Sequence, residues 1–191
     1  MKILFLCFLF SLAYSSSFTQ KLIVAPGGLV NAEDTAKHYV VLRIDSSSAT
    51  ELYNRSLRFV EQEWKNAELR KEGKAGEWLL AKIYAKNAIV AKGSFGLKFN
   101  LDLNYRLRLD FKDGKVKYEI LDLQMNNISP YGEDAPFLIQ SNSTLTRSIY
   151  NKNGVLIEKE KTAKKQLEDY FNNQLTELKV SLMGPSSKTD F

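Results

Sequence analysis

The chain has 191 residues, a net charge of +5, one cysteine and one histidine. A chain of this length buries most of the apolar surface of its unfolded state, so it needs neither a disulfide nor a metal to fold. A single histidine, His38, excludes histidine pairs for zinc, and the only cysteine, Cys7, lies at the extreme N-terminus.

Residues 1–20 read as a cleaved signal peptide. Lys2 supplies the positive start, the eleven residues 3–13 are apolar, and Ser15, Ser16 and Ser17 follow. The apolar run is too short for a membrane helix. Ala13, Tyr14 and Ser15 fit a small-x-small cleavage site, so the mature N-terminus is expected between Ser15 and Lys21. Cys7 sits inside the apolar run after Leu6, whereas a lipidated cysteine ends such a run after a small residue; no lipid anchor is expected. The mature chain is then free of cysteine, which excludes disulfides and thiolate chemistry. It carries +4, because Lys2 is the only charged residue removed, and that is well short of a dedicated nucleic-acid binder.

Residues 21–35 contain Pro26, Gly27 and Gly28 and little periodicity, and read as a flexible leader. A domain is expected over 36–183. Its first strand spans 38–45, with Val40, Leu42 and Ile44 alternating with Tyr39, Val41 and Arg43. Ser46, Ser47 and Ser48 offer N-caps for a helix over 49–66, whose apolar stripe is Tyr53, Leu57, Val60 and Trp64, flanked by Leu52 and Phe59. A charged loop with Gly73 and Gly76 leads to a strand over 77–84. A turn near Lys86 and Asn87 opens a strand over 89–99, and residues 100–104 turn again.

Tyr105, Leu107, Leu109 and Phe111 alternate with Arg106, Arg108, Asp110 and Lys112, the cleanest strand pattern in the chain. Asp113-Gly114 marks a tight hairpin turn of the primed kind. The returning strand, 115–124, changes apolar parity at Ile120 and Leu121, which predicts a bulge. Residues 126–154 read as a long connection rich in Asn, Ser, Pro and Gly. A helix over 158–182 closes the domain with Ala163, Leu167, Phe171, Leu175, Leu178 and Leu182 on one stripe, and Gly184-Pro185 ends it before a short tail, 184–191. The predicted fold is α+β: a curved antiparallel sheet of about five strands in the order β-α-β-β-β-β-α, both helices on one face and the other face open.

Three segments in this order, Leu52 to Leu57 (LYNRSL), Ala91 to Phe95 (AKGSF) and Leu109 to Lys115 (LDFKDGK), resemble a bacterial family of exported domains of unknown function with a TATA-binding-protein-like (TBP-like) fold. The resemblance spans roughly residues 35–124 and, more loosely, the final helix. It implies that fold and a Gram-negative envelope location, periplasmic or secreted. It brings no activity, no cofactor and no catalytic residues; the namesake's grip on DNA through its open sheet face is analogy only.

The residues themselves assign no catalytic group, metal site or cofactor. His38, at the mouth of the first strand, reads as a structural or solvated imidazole. Gly93 and Gly96 read as a strand bend, the acidic pairs Glu133/Asp134 and Glu61/Glu63 lack an apolar setting, and the glycosylation-like triplets at Asn54, Asn127 and Asn142 are too short to carry an argument. One feature points to binding. By strand parity the open face carries Arg43, Lys82, Lys92, Lys98, Arg106, Arg108, Lys112, Lys115 and Lys117, opposed by Asp110 and Glu119, with Tyr39, Trp78 and Tyr84 among them.

The leading expectation is therefore a non-enzymatic envelope module whose open face takes a partner protein or an anionic envelope ligand. The plain alternative is a solvated, lysine-guarded sheet face. Two others are a small envelope enzyme acting on a glycan or ester through Asp110, Arg106, Arg108 and Tyr84, and a structural domain whose 126–154 segment docks onto another chain.

Overall fold

A computed structural model describes residues 20–63, 70–92, 98–127, 135–143 and 145–184. All but Gln20 of the expected signal peptide, Trp64, the Gly93/Gly96 bend, Glu133 with Asp134, and the tail beyond Gly184 lie outside the described residues. The elements are β1 (Leu22–Ala25), β2 (Gly28–Asn31), β3 (Tyr39–Arg43), α1 (Ala49–Glu63), β4 (Arg70–Lys74), β5 (Trp78–Lys92), β6 (Lys98–Lys112), β7 (Lys115–Asn127), β8 (Ala135–Gln140), β9 (Arg147–Tyr150), a 3-10 turn (Glu158–Glu160) and α2 (Lys161–Met183).

The main sheet has seven strands, six of them in the order β4-β5-β6-β7-β8-β9, with β3 also paired to β7. All pairings in it are antiparallel except β8 with β9. β3 and β8 lie end to end along the same edge of β7. β3 covers Lys115 to Glu119 and β8 covers Met125 to Asn127.

Period-two alternation on β6 sends Tyr105, Leu107, Leu109 and Phe111 to the helix side, each no more than 5% exposed. They meet Leu79, Ala81 and Ile83 of β5, Val116 and Tyr118 of β7 and Val40 and Leu42 of β3 in one core. All six residues of the expected α2 stripe are buried against it. On α1 the buried line runs through Leu52, Ser56, Phe59 and Val60, while Tyr53 and Leu57 are only partly buried. The predicted stripe was thus centred about one residue too far on. Periodicity passed over Ser56, a small polar residue at the middle of the buried face.

The β6–β7 turn caps α1. Asp113 Oδ1 accepts the Ala49 N–H at 2.8 Å, Ser48 Oγ accepts that of Glu51 at 3.2 Å, and the Gly114 N–H reaches the Ser47 carbonyl at 2.8 Å. Gly114 has φ 68° and Asp113 does not share the positive φ, so the hairpin is present but its turn is not type I′.

Four expectations need correction. First, β5 is continuous across Lys86 and Asn87: Asn87 does take positive φ, at 53°, but within a bulge between Ala85 and Ile89, and the reversal falls between Lys92 and Lys98. Asp102 fills the place of a strand partner there, its Oδ1 accepting the Asn87 N–H at 2.7 Å. Residues 100–104 accordingly belong to β6 rather than to a turn. Second, the charged stretch before Gly76 forms the edge strand β4, where Gly73 lies under Tyr53.

Third, residues 22–31, read as a flexible leader, are a hairpin held by α2. The Asn172 side chain accepts from the Leu22 N–H and donates to its carbonyl, both at 2.9 Å, and Glu168 accepts the Val24 N–H at 2.9 Å. A side-chain amide with a donor and an acceptor replaces a neighbouring strand, so no apolar pattern advertises the contact. Fourth, the 126–154 segment carries β8 and β9, joined to the core by Phe137, Ile149 and Tyr150. The expected β7 bulge is present, at Asp122 (φ 52°), just past the parity change.

Candidate functional site

The open face is a set of cross-strand rows fixed by the register. Tyr39, Glu119, Arg108 and Leu80 make one row; Val41, Lys117, Asp110 and Trp78 the next; Lys82, Arg106 and Leu121 a third; Tyr84, Asn104 and Gln124 a fourth. Arg43, Lys115 and Lys112 close the hairpin end, while Lys98 lies at the opposite end, where its strand pairs with Lys92. The Lys92 side chain lies outside the described residues. The remaining eight predicted binding residues do stand on one face: Lys82 and Lys98 are exposed, Tyr84 is 48% exposed, and Tyr39 and Trp78 are half-buried.

The charge on this face differs from the predicted surplus. Arg106 is ion-paired with Asp122, and Arg108 Nε meets Asp110 at 3.0 Å. Lys117 sits between Glu119 at 2.7 Å and Asp110 at 3.5 Å, and lies 4.8 Å from the centre of the Tyr39 ring. Partial burial works against the Lys117 charge, but the bonds to Glu119 and Asp110 outweigh it and raise its pKa above the usual lysine value.

Asp122 was missed because its place depends on a bulge, and Asp102 because residues 100–104 read as a turn. Asp122 sits at the β7 bulge itself. Asp102 is 2% exposed beneath the open face, where Tyr84 donates its hydroxyl to it. The parity of β6 alone was enough to put Asp102 on this face, had 100–104 been read as strand.

The proposed catalytic grouping is not assembled. Tyr84 and Asp110 are separated by three rows, about 20 Å along the strands, and Tyr84 is committed to Asp102, Arg106 to Asp122 and Arg108 to Asp110. Among the described residues no group of three or more His, Cys, Asp or Glu is placed to hold a metal ion. His38 rests on the β1–β2 hairpin: its Nδ1 lies 3.1 Å from the Leu29 carbonyl, which can only accept, so Nδ1 carries the hydrogen.

Residues 38–126 match the family model described as a domain of unknown function (DUF4468) with TBP-like fold. The chain carries a DUF4468 domain with a TBP-like fold. A crystal structure of a DUF4468 family protein from Bacteroides ovatus aligns with a TM-score of 0.54 at 15% identity, covering 78% of this chain and 87% of that one. A crystal structure of a TBP-like protein from Parabacteroides distasonis aligns with a TM-score of 0.56 at 12% identity, covering 76% and 91%. At such identities the likeness establishes the fold alone. No curated protein matches the chain. The DUF4468 match begins at His38 and ends at Asn126, so β1, β2, β8, β9 and α2 lie outside it.

Proposed function

We propose that this DUF4468 chain is an exported, non-enzymatic module that docks a partner protein in the bacterial envelope through the open sheet face. The observation that carries the reading is the composition of the face: Tyr39, Trp78 and Tyr84 stand among arginines already neutralised by neighbouring carboxylates. Trp, Tyr and Arg are the side chains that dominate protein–protein hot spots, and a pre-paired arginine is already oriented when a partner arrives. A polyanion, by contrast, has to compete with Asp122 and Asp110 for Arg106 and Arg108. The cations of this face without a carboxylate partner among the described residues are Lys82 beside Arg106, Lys98 at the far end, and Arg43, Lys112 and Lys115 at the hairpin end, and they support an anionic envelope ligand as the second reading.

The test is capture from envelope extract by the mature protein, washed at low and high salt. Trp78→Ala is expected to abolish capture that survives high salt. Capture that disappears with salt alone, and is indifferent to Trp78→Ala, overturns the protein reading in favour of the anionic one. Export is checked separately: mass spectrometry of the secreted or periplasmic chain is expected to find an unlipidated N-terminus between Ser15 and Lys21. An acylated Cys7, or a cytoplasmic chain starting at Met1, overturns it.

A further inference from the structure

We infer a second binding site, independent of the open face: a slot in the edge of the sheet that takes a short extended peptide by strand addition. β3 ends its pairing with β7 at Glu119 and β8 begins at Met125, so residues 120–124 of β7 have β6 on one side and no strand among the described residues on the other. β8 pairs with β7 only through residues 135–137, then leaves it to run beside β9, so the β7-facing edge of residues 138–140 is unpaired as well. Between these two edges lies a cavity of about 780 Å³, closed at one end by His38 and on one side by the β1–β2 turn.

Unpaired strand edges inside a sheet select a particular chemistry. N–H and C=O groups alternate along each edge, and an extended peptide backbone presents the same alternation at the same spacing. The five-residue gap in β7 is about 16 Å long, room for four or five extended residues. This sheet elsewhere closes its exposed edge groups with side chains, as Gln20 does for the Val41 N–H at 2.7 Å and Asn31 for the Tyr39 carbonyl at 3.3 Å. No side chain does so for residues 120–124 or 138–139 among the described residues.

The walls favour an uncharged segment. Leu29, Ile120, Leu123, Phe137 and Ile139 supply apolar surface, Asp122 is engaged with Arg106, and His38 Nδ1 is engaged with the Leu29 carbonyl. The bulge at Asp122 falls inside this unpaired stretch, between the part of β7 that pairs with β3 and the part that pairs with β8.

The experiment uses the mature chain, isotope-labelled for amide NMR, with a blocked pentapeptide of alternating valine and threonine as probe and the same peptide N-methylated throughout as control. The probe is expected to shift and protect slot-facing amides within 120–124 and 138–140. Loss of its N–H donors is expected to weaken binding about tenfold or more, since two or three backbone hydrogen bonds go. The site is overturned if no amide in these two stretches responds, if the N-methylated peptide binds as well, or if 120–124 are throughout as protected in the free chain as the paired residues 115–119. Trp78→Ala leaves this binding unchanged, which separates it from the open-face reading.

Discussion

The two faces of β6 alternate residue by residue, yet they are stabilised in opposite ways. On the helix side Tyr105 packs edge-on to Phe171 with ring centres 5.2 Å apart, and its buried hydroxyl exchanges hydrogen bonds with Gln174 at 3.0–3.1 Å. Tyr118 and Tyr170 join the same polar cluster from β7 and α2, at 3.4 and 3.2 Å. On the open side Arg106 and Arg108 are close to half exposed and their carboxylate partners are reached by water. Burial makes each hydrogen bond on the first face hard to lose, because an orphaned hydroxyl there has no water to turn to. Exposure makes each ion pair on the second face nearly neutral for stability and therefore available for recognition.

The largest effects are expected on the helix side. Phe171→Ala removes a fully buried ring from the centre of α2 and is expected to cost about 3–5 kcal/mol in chemical denaturation. Leu52→Ala, fully buried, is expected to cost about 2–5 kcal/mol, and clearly more than Leu57→Ala, which removes a side chain only partly covered. Equal losses at Leu52 and Leu57 would return the α1 stripe to the position that periodicity alone suggested.

That pair also shows how much was legible beforehand. Long, regularly alternating or helically spaced runs, such as 105–111 and the α2 stripe, needed no knowledge of the fold, since each apolar residue reports its own burial. The open face was legible for the same reason, through the complementary polar set. What escaped were features decided by non-local backbone geometry. The β5 bulge was mistaken for a turn because Asn87 signals positive φ without saying whether the chain reverses. The β1–β2 hairpin is anchored by Asn172 and Glu168, about 150 residues away in the chain. Because Asp122 owes its place to a bulge, the predicted surplus of positive charge omitted the partner of Arg106.

Gln174 tests whether the buried polar cluster stabilises as well as orients α2. Gln174→Leu removes the acceptor that Tyr105 and Tyr118 share and is expected to cost about 1–3 kcal/mol. The same tyrosines predict an alkaline limit. Burial, with further contributions from neighbouring tyrosines, pushes the pKa of Tyr105 well above its ordinary value of 10.0 and raises that of Tyr118 as well. In the unfolded chain both ionise near 10, so the unfolded state loses protons that the folded state keeps. Stability is then fully present below about pH 10 and falls as pH rises above it. Denaturation followed alongside tyrosinate absorbance is expected to show these two phenols ionising only as the chain unfolds. Full ionisation of a chain still folded would place their hydroxyls in contact with water.

The smallest effect on stability, and the largest on recognition, belongs to the open face. Arg106→Glu with Arg108→Glu sets like charges beside Asp122 and Asp110. Exposed pairs of this kind contribute about 0–1 kcal/mol each, so the melting temperature is expected to fall by only a few degrees. Lys112→Glu with Lys115→Glu, at the hairpin end, disrupts no ion pair among the described residues and is expected to leave the melting temperature unchanged. The two double variants answer different questions about binding. A polyanion selects for cations that have no competitor, so retention on an anionic matrix is expected to suffer more from the Lys112 and Lys115 reversal. A protein partner selects for oriented side chains at the centre of the face, so salt-resistant capture is expected to suffer more from the Arg106 and Arg108 reversal. Loss of neither activity in either variant would make the face a solvated surface with no binding role. Unfolding caused by the Arg106 and Arg108 reversal would mean that these pairs hold β6 to the β7 bulge, and the contrast between the two faces would fail at its centre.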